Sequence, residues 1–166
     1  MPEDNIMLDT IYKNWEKYQN GLIEALSPLT AEQLALRAAP NLRSVGELAT
    51  HIVSCRAGWF HSVLHEGGDE LAAIDIWDSP HHPGQPNRTA DELVAALHTT
   101  WAAIQEALDR WTPEDLAAPI HHVWDDGEQS TVYRPYVIWH LIEHDVHHGG
   151  EIGYSLGMHG LAAPDI

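Results

Sequence analysis

Apolar positions return at three- and four-residue steps in four long stretches of the chain, the pattern of helices that bury one face. From about Asn5 to Leu26 the stripe is Ile6, Leu8, Ile11, Trp15, Tyr18, Leu22 and Leu26. A second stretch opens at Ser44, where Glu47 completes a capping box, and runs through Leu48, Ile52, Cys55, Trp59 and Val63 until Gly67-Gly68 stops it. The third takes Thr89 as N-cap, places Asp91 and Glu92 in its first turn, and continues through Leu93, Leu97, Trp101, Ile104 and Leu108 to about Trp111. The fourth spans Arg134 to Leu156, with Pro135 in its first turn and Gly157 near its end.

The connections are long. Thr30 and Gln33 make a capping box for a short turn or helix. Trp77 to Arg88 holds three prolines and a glycine and reads as loop. Residues 112–132 are less regular, and Val123-Trp124 and Thr131-Val132 flank Asp125-Asp126-Gly127 as either a small hairpin or an ordered loop. There is no internal repeat. The pattern predicts one all-α domain over 1–166, a four-helix bundle with at least one crossover and room for a small hairpin before the last helix.

Charge narrows the function. Eight Lys+Arg against 25 Asp+Glu give −17, which argues against nucleic acid and anionic membrane as partners, since both need clustered cations. A small-molecule substrate is the expectation, and a neutral or cationic one fits more easily than a highly anionic one unless Arg43, Arg56 or Arg134 turns toward the site. The 13 histidines would bring the net charge to −4 if all were protonated. A single cysteine, Cys55, excludes an intrachain disulfide framework and a Cys-rich metal site. The acidic start Met1-Pro2-Glu3-Asp4 has no signal-peptide character and no apolar run approaches ~20 residues, so a cytoplasmic protein is expected.

Histidines at 140, 144 and 148 lie four apart and stack along one helix face. Two such imidazoles can converge on one ion, but three successive turns of a straight helix cannot all reach it. A site therefore needs either 140/144 or 144/148 and a third ligand from another helix, for which His51 is the best donor. His61 and His65 read as a solvated helix end, and His81, His82, His121, His122 and His159 as surface residues. Cys55, one turn after His51 on an apolar stripe, reads as a small buried hydrophobe. Trp15, Trp59, Trp101 and Trp139 read as core. Trp77 and Trp124 are expected to roof a pocket, with Tyr133, Arg134 and Tyr136 supplying polar contacts.

Two motifs together resemble a known superfamily. Asn41-Leu42-Arg43-Ser44-Val45-Gly46-Glu47-Leu48-Ala49-Thr50-His51 opens the second helix, and His144-x-x-His147-His148-Gly149-Gly150-Glu151-Ile152 lies in the last. The chain is similar over its whole length to the DinB/YfiT-like four-helix-bundle metalloproteins. The resemblance implies that His51, His144 and His148 hold a divalent metal, usually zinc or nickel, with open positions for water or substrate. It makes His140 a neighbour of that site. Many relatives carry Arg-Gly-Gln after the last ligand, whereas this chain has Gly149-Gly150-Glu151. Glu151 shares the ligand face, where it can orient a ligand or move a proton.

Other metal motifs fit less well. A zincin takes its third ligand downstream, and 18 residues remain after His148. A di-iron bundle needs Glu-x-x-His pairs, which are absent, and a hemerythrin-like set built on His147-x3-Glu151 points about 100° away from His148. The resemblance implies a thiol-dependent S-transferase acting on small electrophiles with a low-molecular-weight thiol of the bacillithiol or mycothiol type, with Glu151 or His140 assisting proton movement. The alternatives are a hydrolase using metal-bound water and a non-catalytic metal-binding stress-response dimer. A homodimer is expected in each case.

Overall fold

A computed structural model describes residues 6–124 and 126–164, with side chains from Thr10 onward. Asn5, the Ile6 and Leu8 side chains and Asp125 of the expected turn lie outside the described residues. Four long helices, α1 (Ile6–Leu26), α3 (Val45–Gly58), α5 (Ala90–Arg110) and α7 (Arg134–Met158), build the bundle. Three short ones sit in the connections: α2 (Ala31–Leu34), α4 (Asp69–Asp75) and α6 (Pro113–Ala117). Capping boxes start α2 at Thr30 and α3 at Ser44, as the pattern predicts; the expected N-cap Thr89 forms a further box with Glu92 at the start of α5, and a fourth at Thr112 starts α6. The hairpin forms, with β1 (Ile120–Val123) antiparallel to β2 (Gln129–Val132) and Ile120 opposite Val132. Gly127 turns it at φ 84, a conformation that suits glycine.

The core is the set of inward stripes. Leu22, Ile52, Leu93, Ile104, Leu141 and Ile152 are all fully buried. Helix α3 is the hub, touching α7, α4 and α5. Trp139 departs from expectation: it is 62% exposed. The inward face of α7 runs through Ile138, Leu141, Asp145, Gly149 and Ile152, and Trp139 sits one ~100° step off it. Ile11 is likewise exposed. At Gly149 a side chain has no room, because a Cβ there would lie 2.0 Å from Tyr18 Oη. Glycine thus lets α1 and α7 approach closely.

The centre of the bundle is polar. Arg56, 1% exposed, donates from Nε and NH2 to the carboxylate of Asp145 and from NH1 to Gln19 Oε1. Trp15 Nε1 donates to Asp145 as well, and Gln19 passes a hydrogen bond to the carbonyl of Leu97. One network therefore ties α1, α3, α5 and α7 together. Burying both charges is tolerable because each is hydrogen-bonded. Arg56 is thereby unavailable to any surface pocket.

The connection after α3 is more ordered than expected. The helix runs into a π-helical turn, Trp59–Val63, and α4 runs into a 3-10 turn, Ile76–Asp78, so Trp77 and Asp78 are helical and the loop starts after them. A Cβ on Gly58 would lie 2.8 Å from Asp75 Oδ1, so this glycine lets α4 close onto α3. Ser54 then clamps the segment, donating from Oγ to the carbonyl of Asp75 (2.6 Å) and accepting from the backbone N–H of Asp78 (3.2 Å).

Candidate metal centre

His51, on α3, meets His144 and His148, on α7, and the three offer ligand nitrogens within 4.8 Å of one another. His51 and His144 approach with Nε2 atoms 3.1 Å apart. Of the two pairs that the four-residue spacing allows, 144/148 is therefore the one that His51 joins. His140 stays one turn away, its ring 5.8 Å from that of His144.

Two of the three rings are held by carboxylates. His51 Nδ1 donates to Asp78 Oδ2 at 2.6 Å, and Asp78 also accepts from Arg43 at 2.7 Å. His148 Nδ1 donates to Glu151 Oε2 at 2.7 Å. A carboxylate accepts only, so each Nδ1 carries the proton and each Nε2 presents a lone pair. Carboxylate-oriented imidazoles are the usual support of metal-binding histidines. Burial pushes the Asp78 carboxyl up, but the hydrogen bonds from His51 and Arg43 outweigh it and hold it below its ordinary range.

The donor set fits a divalent ion. Burial, then the neighbouring rings of His148, His51 and His140, pull His144 down to about 3, so near neutral pH it is uncharged. His148 is lowered too, by burial, against the opposing hydrogen bond that it donates to Glu151. Nitrogen lone pairs converging at 3.1 Å are stabilised by a proton or a cation between them. Without an ion, a neutral His144 fills that contact by donating its Nε2–H to His51 Nε2, and a bound cation would take the place of that proton. Two ligands of one ion at ~2.0–2.1 Å stand ~2.9–3.4 Å apart in octahedral or tetrahedral geometry, which the observed spacing matches. The Nδ1 of His144 is buried without a hydrogen-bond partner among the described residues.

The remaining sequence candidates divide clearly. Glu151 sits on the Nδ1 of His148, in position to orient that ring. His140 Nδ1 donates to Glu143 Oε1 at 3.2 Å, which leaves its Nε2 as an acceptor. Cys55 lines the cleft beside His51, but burial, then Asp145, push its thiol up to about 12. Arg43 faces the centre through Asp78, whereas Arg134 turns away to the carbonyl of Asp115 and over Trp111. His65 and His98 are exposed, and His121 and His159 are engaged by Thr131 Oγ1 and the carbonyl of Arg37. Asp78 and Ser54 were not singled out from the pattern. The nearest sequence signal is the short apolar run Leu71-Ala72-Ala73-Ile74 after Gly67-Gly68, which marks a helix there.

Two clefts meet at His51 and Asp78. One, of about 600 Å³, is walled by Trp59, His122 and Trp124. Trp59 packs edge-on against Trp124 at 5.6 Å and against the His140 ring at 5.0 Å, while Tyr136 stacks on His140. Trp124 is thus part of the wall that was expected to roof a pocket. The other cleft, of about 750 Å³, contains Trp77 and the proline-rich loop. Among the described residues no helix is long and apolar enough to cross a membrane.

Two solved structures share this fold. A DinB-like protein from Bacillus cereus has 20% identity and a TM-score of 0.67, covering 93% of this chain and 94% of its own. A conserved protein from Enterococcus faecalis has 20% identity and a TM-score of 0.63, covering 86% and 91%. At that identity the likeness speaks for the fold alone. No curated protein matches the chain. The model of the DinB family matches residues 1–166.

Proposed function

The chain belongs to the DinB family, and on that footing we propose that it is a metal-dependent S-transferase that joins a low-molecular-weight thiol to a small electrophile. The observation that carries this reading is the convergence of His51, His144 and His148, two of them oriented by Asp78 and Glu151. Zinc or nickel is the metal proposed, held by those three imidazoles. Once bound, the ion supplies Lewis-acid stabilisation of a thiolate near neutral pH.

The chain's own residues do the rest. The Nε2 of His140 takes the proton from the thiol S–H, and Glu143 steadies the resulting imidazolium. The sulfur forms its new bond to carbon while the leaving group departs with its electron pair. Trp59 and Trp124 line the cleft for the electrophile and shed water from it. Cys55, protonated and half-buried, is not the nucleophile, so the thiol comes from outside. A cytoplasmic location and a homodimer belong to the same proposal; Trp139 and Val146, exposed seven residues apart on α7, are apolar surface that a second copy would cover.

The test is metal analysis of untagged protein, followed by thiol-transfer and hydrolase panels on wild type and His148→Ala. Near-stoichiometric metal and thiol transfer, both lost in His148→Ala, are expected. Bound metal with turnover only in the hydrolase panel overturns the transfer reading, and metal content unchanged in a triple alanine variant of His51, His144 and His148 overturns the site.

A further inference from the structure

Three of this acidic chain's eight Lys and Arg residues, Arg37, Arg43 and Arg88, line the single cleft of about 750 Å³ that ends at His51. The carboxylates in the same lining are Glu47 and Asp78. Arg37 pairs with Glu47 at 2.7 Å and Arg43 with Asp78 at 2.7 Å, which leaves Arg88 as the cation in excess. The other arginines are spent elsewhere: Arg56 in the core, Arg110 on Glu66 and Arg134 at the carbonyl of Asp115.

Arg88 is held in place. Its guanidinium lies 4.1 Å from the centroid of Trp77, and its side chain is only 13% exposed. NH2 donates to Gln85 Oε1 at 3.1 Å, and Glu92, outside the cleft, stands 3.8 Å from NH1. Nε is buried and has no hydrogen-bond partner among the described residues. Nε is closed off from solvent, so an anion would be held by the terminal nitrogens of this stacked guanidinium, a preorganised donor for a planar anion. The aromatic cleft that shares His51 differs in kind, with Asp75 and Asp78 in its lining and no Arg or Lys.

We propose that the arginine cleft is an anion subsite, binding the carboxylate end of a small co-substrate whose other end reaches the metal centre past His51. A guanidinium whose ion-pair partner, Glu92, stands at 3.8 Å with its own side chain 47% exposed matches a singly charged carboxylate better than a phosphate dianion. A cleft lined by three arginines and two carboxylates in a protein of −17 also repels such a ligand less than the rest of the surface does. In the S-transfer reading, on which this assignment of the co-substrate rests, the ligand is a carboxylate-bearing thiol.

The test uses the full chain and does not need turnover. Glutarate and its uncharged diamide are titrated calorimetrically into wild type, Arg88→Gln and Arg88→Lys at low ionic strength, with inorganic phosphate as a further probe. Glutarate is expected to bind in the millimolar range and the diamide not at all. Arg88→Gln should weaken glutarate by about tenfold and Arg88→Lys by less, since one charge-assisted hydrogen bond is at stake. Thermal melts report whether each variant is folded; Arg88 lies ahead of α5, outside the core. Equal binding of diacid and diamide, binding unchanged in Arg88→Gln, or phosphate tighter than glutarate overturns the proposal. Transfer assays with 3-mercaptopropionate and 2-mercaptoethanol separate the two ideas. Arg88-dependent glutarate binding without any thiol transfer keeps the subsite and sinks the S-transfer reading. Transfer of both thiols with equal KM in wild type and Arg88→Gln does the reverse.

Discussion

Asp78 grips the Nδ1 of His51 at 2.6 Å across 27 residues of sequence, from the end of a 3-10 turn that Ser54 pins to α3. The carboxylate sets the tautomer and the direction of the ring, so removing it loosens the site without touching a ligand. Asp78→Ala is expected to weaken metal binding by about 10- to 100-fold, measured by chelator competition. Ser54→Ala should give a smaller loss in the same direction, because it frees the backbone that carries Asp78. An affinity equal to wild type in Asp78→Ala would show that His51 is oriented by something else.

Neighbouring glycines in α7 should respond with opposite signs. Gly149→Ala forces a Cβ to within 2.0 Å of the buried Tyr18 hydroxyl and should destabilise by about 1–3 kcal/mol. Gly150→Ala meets nothing within 4 Å and should stabilise by up to about 1 kcal/mol, through helix propensity and a less flexible unfolded chain. Denaturant unfolding of the two variants decides it.

The buried Arg56–Asp145 pair predicts a non-additive pattern. Asp145→Ala strands a guanidinium that is 1% exposed and should cost about 3–5 kcal/mol. Arg56→Met combined with Asp145→Leu removes both charges and should recover most of that loss in a double-mutant comparison. A double variant destabilised by the sum of the losses in Arg56→Met and Asp145→Leu alone would mean that the pair is not coupled.

His144 predicts the acid behaviour of metal-free protein. Its folded value of about 3 lies below its ordinary 6.5, so the unfolded chain binds a proton there more readily than the folded one. The stabilisation is therefore complete above pH 6.5 and is lost as pH falls toward 3. The melting temperature in chelator should drop across that window, and His144→Leu should flatten the drop. A slope unaltered in the variant would remove His144 as the cause.

What the sequence determined by itself was whatever depends on nearby residues. Helix stripes and capping boxes are decided within a few positions, so the four long helices and their starts at Ser44 and Thr89 were legible. The spacing of 140, 144 and 148 restricted the ligands to two pairs, and the resemblance of two motifs chose between them. Tertiary structure decided the rest. Trp139 faces outward because the inward stripe of α7 includes a charge, Asp145, and a glycine, Gly149, which an apolar pattern does not count. Arg56 looks like a surface cation until Asp145, Gln19 and Trp15 arrive from other helices to satisfy it. Asp78 and Arg88 become parts of a site only when the long connection folds back over α3, bringing carboxylate and guanidinium into the lining of one cleft that no local spacing encodes.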